Sequence, residues 1–266
     1  MIQLPTKKTV PKEFDSVSKL IITGHQGTGK THLCASLPNS LLIDFEDGCK
    51  DQYEAMTINL KEACAVSNID MLTAFGQTIK AIKKVNSEKG SCVYDYIIFD
   101  GVTAMEKLTH QYATMIFKNS IVGKGMINKG AIINDVVTDV PESGWLWLHR
   151  AWEHLYQETL GLSGVCNIYI GHAKQGSLVK QGIKLEANDL ALTGKLKLSL
   201  LRDSDGSGMI YREGNQVKIS FKTNEKDLTT KSRARHLNEA EFIMSELIDG
   251  KLVTYWENIF PNLIKK

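Results

Sequence analysis

The sequence predicts an α/β fold with a mainly parallel central sheet, helices on both faces and an antiparallel extension toward the C-terminus. Three observations point to it. Four apolar runs, KLIIT (19–23), SLLIDF (40–45), YDYIIFD (94–100) and CNIYIGH (166–172), are spaced widely enough for crossover helices. Their apolar character is continuous, not alternating, which suits strands covered on both faces. From about residue 195 the pattern changes to the period-2 runs KLKLSLL, GMIYRE and QVKISFKT, with Gly214-Asn215 as the tight turn between the last two.

Taken in order, residues 1–17 read as an N-terminal arm bearing prolines and lysines. A core follows over 18–236, and 237–266 is expected to be a C-terminal helical tail. Within the core, 71–85 places Leu72, Phe75, Ile79, Ile82 and Val85 on one helical face, and 145–160 does the same with Trp145, Leu148, Trp152 and Leu155. That aromatic stripe reads as core. Two stretches read as loops: 118–134, with three lysines and no acid, and 173–188, which carries Lys174, Lys180 and Lys184. Loops of that length inside a compact domain are usually functional or disordered.

The junction after the first run reads GHQGTGKT (24–31), the pattern G-x-x-x-x-G-K-T. Glycines let the backbone wrap closely, so successive N–H groups can point at phosphate oxygens. Gly24, Gln26, Gly27, Thr28, Gly29, Lys30, Thr31 and His32 are the nucleotide-binding candidates. Lys30 can reach the β- and γ-phosphates, and the Thr31 hydroxyl can ligate Mg²⁺.

In open parallel sheets, ligands sit at the carboxyl ends of the strands. There the second run ends in Asp44 and Glu46, the third in Asp100 and the fourth in His172. Asp100 suits the metal site opposite Thr31, against the plainer reading of a helix N-cap. Glu46 is the choice for polarising the attacking water, with Asp44 the runner-up. Being two apart on a strand, they would share a face. Glu106 lies on the following helix, too far out. His172 reads either as a polar strand end or as a sensor of the γ-phosphate.

Net charge is +2, with 42% hydrophobic and 23% charged residues, so a nucleic-acid surface must come from local clustering. Residues 173–236 supply it, with 13 Lys and Arg against 7 Asp and Glu. The five cysteines, at 34, 49, 64, 92 and 166, never fall in CxxC spacing, which suits reduced thiols in a cytoplasmic protein. No apolar stretch is long enough to span a membrane.

The set GHQGTGKT, LLIDFE, YIIFDGVTAME and NIYIGHAK, in this order, resembles the RecA-like P-loop ATPases. It looks closest to the phage single-strand annealing recombinases with a minimal RecA core. The resemblance implies Mg²⁺-dependent ATP hydrolysis with ATP and Mg²⁺ as cofactors, and Glu46 and Lys30 as catalytic groups. His172 stands where RecA itself has Gln and would couple nucleotide state to a DNA-binding loop. The family's two DNA-binding loops match 118–134 and 173–188, making Lys124, Lys129, Lys174, Lys180 and Lys184 the DNA-binding candidates. A cation completing the neighbouring site in trans is sought in KSRAR (231–235), as Lys231, Arg233 or Arg235. Implied partners are single-stranded DNA, further copies of the chain in a ring or filament, and a single-strand-binding protein; the implied location is the cytoplasm of an infected host cell. Two other readings remain: a small-molecule or nucleoside kinase on a P-loop fold, and a non-hydrolysing nucleotide-dependent assembly module.

Overall fold

The computed structural model describes residues 16–49, 54–180, 183–223, 227 and 229–263, with backbone alone at 177–180 and 183–185. In chain order the elements are β1 (Lys19–Gly24), α1 (Lys30–Ala35), β2 (Ser40–Asp44), β3 (Met56–Asn59), α2 (Leu60–Ser67), α3 (Met71–Lys89), β4 (Tyr96–Asp100) and α4 (Val102–Asn119). There follow α5 (Ile121–Asn128), α6 (Val136–Asp139), α7 (Gly144–Thr159), β5 (Cys166–Lys180), β6 (Ile183–Leu190), α8 (Gly194–Asp203), β7 (Gly206–Glu213) and β8 (Gln216–Ser220). The chain continues through β9 (Lys231–Ser232), β10 (Glu241–Ile248) and β11 (Lys251–Thr254), with short 3-10 turns at Arg235–Leu237 and Trp256–Asn258.

The strands line up as β11-β10-β8-β7-β1-β5-β4-β2-β3. From β7 to β3 every neighbouring pair is parallel, while β8, β10 and β11 add on antiparallel. This is the α/β fold expected above, with a mainly parallel central sheet and an antiparallel extension. Alternate residues of each central strand face opposite layers. Ile21, Ile43, Ile97, Phe99 and Tyr169 pack under α3, α4, α7 and α8. Leu20, Ile22, Leu42, Ile98 and Ile168 pack under α1 and the C-terminal Trp256, Ile259 and Phe260. Both faces are covered, which is why these runs carry no polar alternation.

The amphipathic helices form with modest changes. Asp70 caps α3 by accepting from Thr73 N–H at 3.0 Å. Phe75, Ile79 and Ile82 are buried, whereas Val85 is exposed. On α7 the buried stripe is Leu148, Trp152 and Leu155; Trp145, one turn earlier, is half exposed and not core.

Several expectations are overturned. KLKLSLL is not a strand but part of α8. Leu196 and Leu200, one helical turn apart, are buried, and Leu198 between them is exposed. The alternation was an accident of lysines flanking an i,i+4 pair. Residues 118–134 are not a long loop: α4 runs to Asn119, and Ser120 caps α5 by accepting from Gly123 N–H at 3.0 Å. Gly123 serves close packing, since a Cβ there would lie 2.1 Å from the Phe117 carbonyl oxygen.

Residues 173–188 are likewise not a loop. β5 runs beyond the sheet and pairs with β6 as an antiparallel ribbon, Ala173 opposite Leu190. The C-terminal helical tail over 237–266 is replaced by β10 and β11, joined at Asp249-Gly250, both in the left-handed region with φ 51° and 74°. β8 offered an unpaired edge, and β10 occupies it. The N-terminal arm lies outside the described residues except for Ser16 and Val17, and Val17 is buried in the core.

Candidate functional site

β1, β5, β4 and β2 are parallel, so their carboxyl ends share one edge. The register aligns Gly24 with His172 and Asp44 with Asp100. Sequence positions more than a hundred residues apart therefore meet along one line.

At that edge the chain leaves β1 through the glycine loop. Gly27 and Gly29 have φ of 79° and 89°, backbone that side-chain-bearing residues rarely adopt. A Cβ on Gly24 would lie 2.4 Å from Ile210 Cγ2, so that glycine is required by the approach of β7. The His25 carbonyl accepts from the Thr28 hydroxyl at 2.9 Å. Buried Lys30 turns back across the loop, its Nζ donating to the Gly24 carbonyl at 2.9 Å and the His25 carbonyl at 2.7 Å. Burial lowers the Lys30 pKa, against the opposing pull of Asp100. Gln26, Gly27 and His32 are exposed, with Thr28, Gly29 and Thr31 half-buried.

The Thr31 hydroxyl donates to Asp100 Oδ2 at 2.6 Å. Asp100 does not cap α4; Gly101 holds the cap position with no side-chain bond. Burial pushes the Asp100 carboxyl up to about 6, and Asp44 and Glu46 add to that push while the Thr31 bond opposes it. A hydroxyl and a carboxylate side by side are the hard oxygen donors that Mg²⁺ takes, together with phosphate and water oxygens. These two residues fit the ion.

Glu46 and Asp44 part company. β2 ends at Asp44, so the shared strand face does not reach Glu46. Buried Asp44 accepts the backbone N–H groups of Glu46 (2.8 Å), Asp47 (2.9 Å) and Cys49 (3.0 Å), and thereby builds the turn. Glu46 instead points into the edge, its Oε2 3.2 Å from His172 Nε2. That hydrogen bond is the main reason its pKa is lowered. Lys61, which sequence reasoning missed, fixes the Glu46 carbonyl with a 2.9 Å bond. Glu106 is engaged elsewhere, accepting from Thr193 N–H at the start of α8.

The basic candidates are scattered. Lys124 and Lys129 are exposed at α5. Lys174 sits at the root of the ribbon, its Nζ 3.4 Å from the Leu192 carbonyl. Lys180 and Lys184 lie in β5 and β6 near the ribbon's far end, described by backbone only. Lys231 and Arg233 of KSRAR lie away from the glycine loop of their own chain. Lys231 pairs with Ser207 at the start of β7, the sheet edge opposite the glycine loop. Lys231 and Arg233 both donate to carbonyls at the C-terminus of α8, where they act as a cap.

A further contact of the loop gave no signal in the sequence. His25 Nε2 lies 3.1 Å from Asn188 Oδ1 on β6, and Asn188 Nδ2 donates to Asp227 at 2.8 Å. The ribbon thus touches the site twice, through His172 on β5 and Asn188 on β6.

Among the described residues, no helix is long and apolar enough to cross a membrane. No curated protein matches the chain. Among solved structures, the chain is similar to the RadB recombinase at 9% identity, with 91% of this chain and 92% of that one covered and a TM-score of 0.40. It is also similar to the flagellar accessory protein FlaH from Methanocaldococcus jannaschii at 12% identity, with 90% and 89% covered and a TM-score of 0.31. Residues 16–127 match the family described as AAA domain, a span that holds Lys30, Thr31, Glu46 and Asp100 and stops before His172.

Proposed function

We propose that the chain is a Mg²⁺-dependent ATPase whose hydrolysis is coupled to single-stranded DNA through the β5–β6 ribbon, in an assembly of several copies. One observation carries the reading. Lys30, the Thr31–Asp100 pair at 2.6 Å and the Glu46–His172 pair at 3.2 Å converge on a single sheet edge. The glycine loop and Lys30 bind the phosphates, Lys30 exchanging its two carbonyl partners for phosphate oxygens. Thr31 and Asp100 hold Mg²⁺, which supplies charge neutralisation of the phosphates when bound. Glu46, its pKa lowered by the bond to His172, orients and polarises water toward the terminal phosphate. His172 begins the ribbon, so a change in its bond to Glu46 reaches the lysines beyond it.

Phosphate release with and without single-stranded DNA tests the whole reading. ATP-dependent release that rises with DNA and disappears in Lys30→Ala supports it. Release unaffected by Lys30→Ala sinks the loop assignment, and transfer to a small acceptor in place of water would make the protein a kinase.

A further inference from the structure

The strand carrying the glycine loop has two neighbours, and the carboxylates all come from one side. Glu46, Asp100 and His172 are supplied through β2, β4 and β5, whereas β7 lies on the other flank of β1. Leu20–Thr23 pair with Gly206–Met209, so Ile210, Tyr211 and Arg212 continue past the shared register and run beside the loop. Ile210 presses on Gly24. Arg212 reaches further, its Nη2 only 3.6 Å from the position a Cβ on Gly29 would occupy.

Gly29 is the residue before Lys30, with backbone in the left-handed region. The Arg212 side chain is exposed and has no hydrogen bond or ion pair with any described residue. Its sequence neighbour Glu213 is already engaged by Lys218. Two of the chain's other cations, by contrast, have carboxylate partners close by: Arg202 has Asp203, and Lys197 has Asp189. A guanidinium without such a partner, beside a turn built to face an anion, completes that anion's charge balance.

We infer that Arg212 is a second cation of the phosphate loop, binding the nucleotide from within the same chain at its non-terminal phosphates. This rests on the loop being a nucleotide site. The flank fixes the position: the groups that polarise water and hold Mg²⁺ stand on the β5 side, so the scissile end of the triphosphate points there. The β7 side is left for the phosphates nearer the nucleoside. A contact of that kind is the same in ground and transition states, so it sets affinity and not turnover.

The experiment uses the full chain with N-methylanthraniloyl-ADP and -ATP in Mg²⁺, alongside steady-state hydrolysis. In Arg212→Ala both nucleotides should bind about 10-fold more weakly, as for removal of one charge-assisted hydrogen bond, and KM should rise in step while kcat stays within about twofold. Arg212→Lys should recover part of the affinity, since it keeps the charge and loses the planar fork. Unchanged Kd in Arg212→Ala, with wild type binding both nucleotides, overturns the inference alone. Loss of kcat at constant KM also overturns it, by making Arg212 a transition-state cation. A wild-type KM restored on mixing the Arg212→Ala and Lys30→Ala proteins would place the contact in trans and refute the same-chain assignment. Wild type that binds neither nucleotide refutes the loop reading and this inference together.

Discussion

Three carboxylates stand within a few residues of the sheet edge, and their surroundings give them three different jobs. Asp44 is buried with three N–H partners. Asn at that position would turn a donor toward an N–H that needs an acceptor. Asp44→Asn should therefore cost about 1–3 kcal/mol, read as a lowered denaturation midpoint. Glu46→Gln should leave stability within about 0.5 kcal/mol and slow hydrolysis by about 10²-fold or more. The opposite pattern would exchange the two assignments. Asp100 is held at about 6 by burial, above its unfolded value of about 3.9. A raised acid binds its proton more tightly when folded, so it destabilises the fold progressively as pH rises from about 4 to 6, by about 3 kcal/mol above that window in metal-free buffer. Asp100→Asn should then raise the melting temperature at pH 8 by more than at pH 5, while abolishing Mg²⁺-dependent turnover. In the wild type, activity should fall as pH drops through about 6, and added Mg²⁺ should move that midpoint lower because metal and proton compete. A melting temperature that drops equally at both pH values refutes the linkage.

At the scale of elements, the strands of the parallel core were legible because both faces are covered and no polar residue interrupts Ile97–Phe99 or Leu41–Ile43. The glycine loop was legible because its backbone demands a fixed spacing. Elements whose identity depends on a distant partner were not. Phe242, Ile243, Met244 and Leu247 fit a helix as well as a strand, and only the free edge of β8 decides, although Asp249-Gly250 carried a hairpin signal. The ribbon, too, had one period-2 run after Gln181-Gly182, with Ile183, Leu185 and Ala187 alternating with polar residues. The candidate site residues follow the same division: Asp100 and Glu46 are readable from strand ends, while Arg212 and Asn188 come near the loop only through sheet pairing. Trp256 shows what such distant contacts do. Fully buried, it donates to the Leu33 carbonyl at 3.2 Å and Ser36 Oγ at 3.1 Å, bracing the six-residue α1 that carries Lys30 and Thr31. Trp256→Ala should cost about 3–5 kcal/mol and weaken nucleotide binding as well. Normal nucleotide affinity in a destabilised variant would show that the loop holds its shape without this brace.

For the whole molecule, the proposed coupling needs a path from the glycine-loop edge to the lysine-bearing ribbon, and β5 is the element that runs through both. Its first residues pair with β1 and β4 in the sheet, His172 sits at the edge against Glu46, and the same strand continues into the ribbon. A strand paired on both sides cannot slide freely, so under the proposed function a change at His172 would pass along the ribbon backbone or into the Asn188–His25 contact. If the ribbon lies on DNA, replacing Lys174, Lys180 and Lys184 together with Ala should weaken binding of single strands of every sequence alike. The salt dependence should become shallower, by about 0.7 in the log–log slope for each phosphate no longer neutralised. Stimulation of hydrolysis by DNA, taken relative to each protein's own DNA-free rate, should fall with it. His172→Ala separates the two halves of the device. It leaves the lysines in place, so DNA affinity and salt slope should match wild type while stimulation disappears. Loss of DNA affinity in His172→Ala would refute this separation, and an unchanged affinity and slope in the triple variant would move the DNA surface to Lys124 and Lys129 on the α5 side.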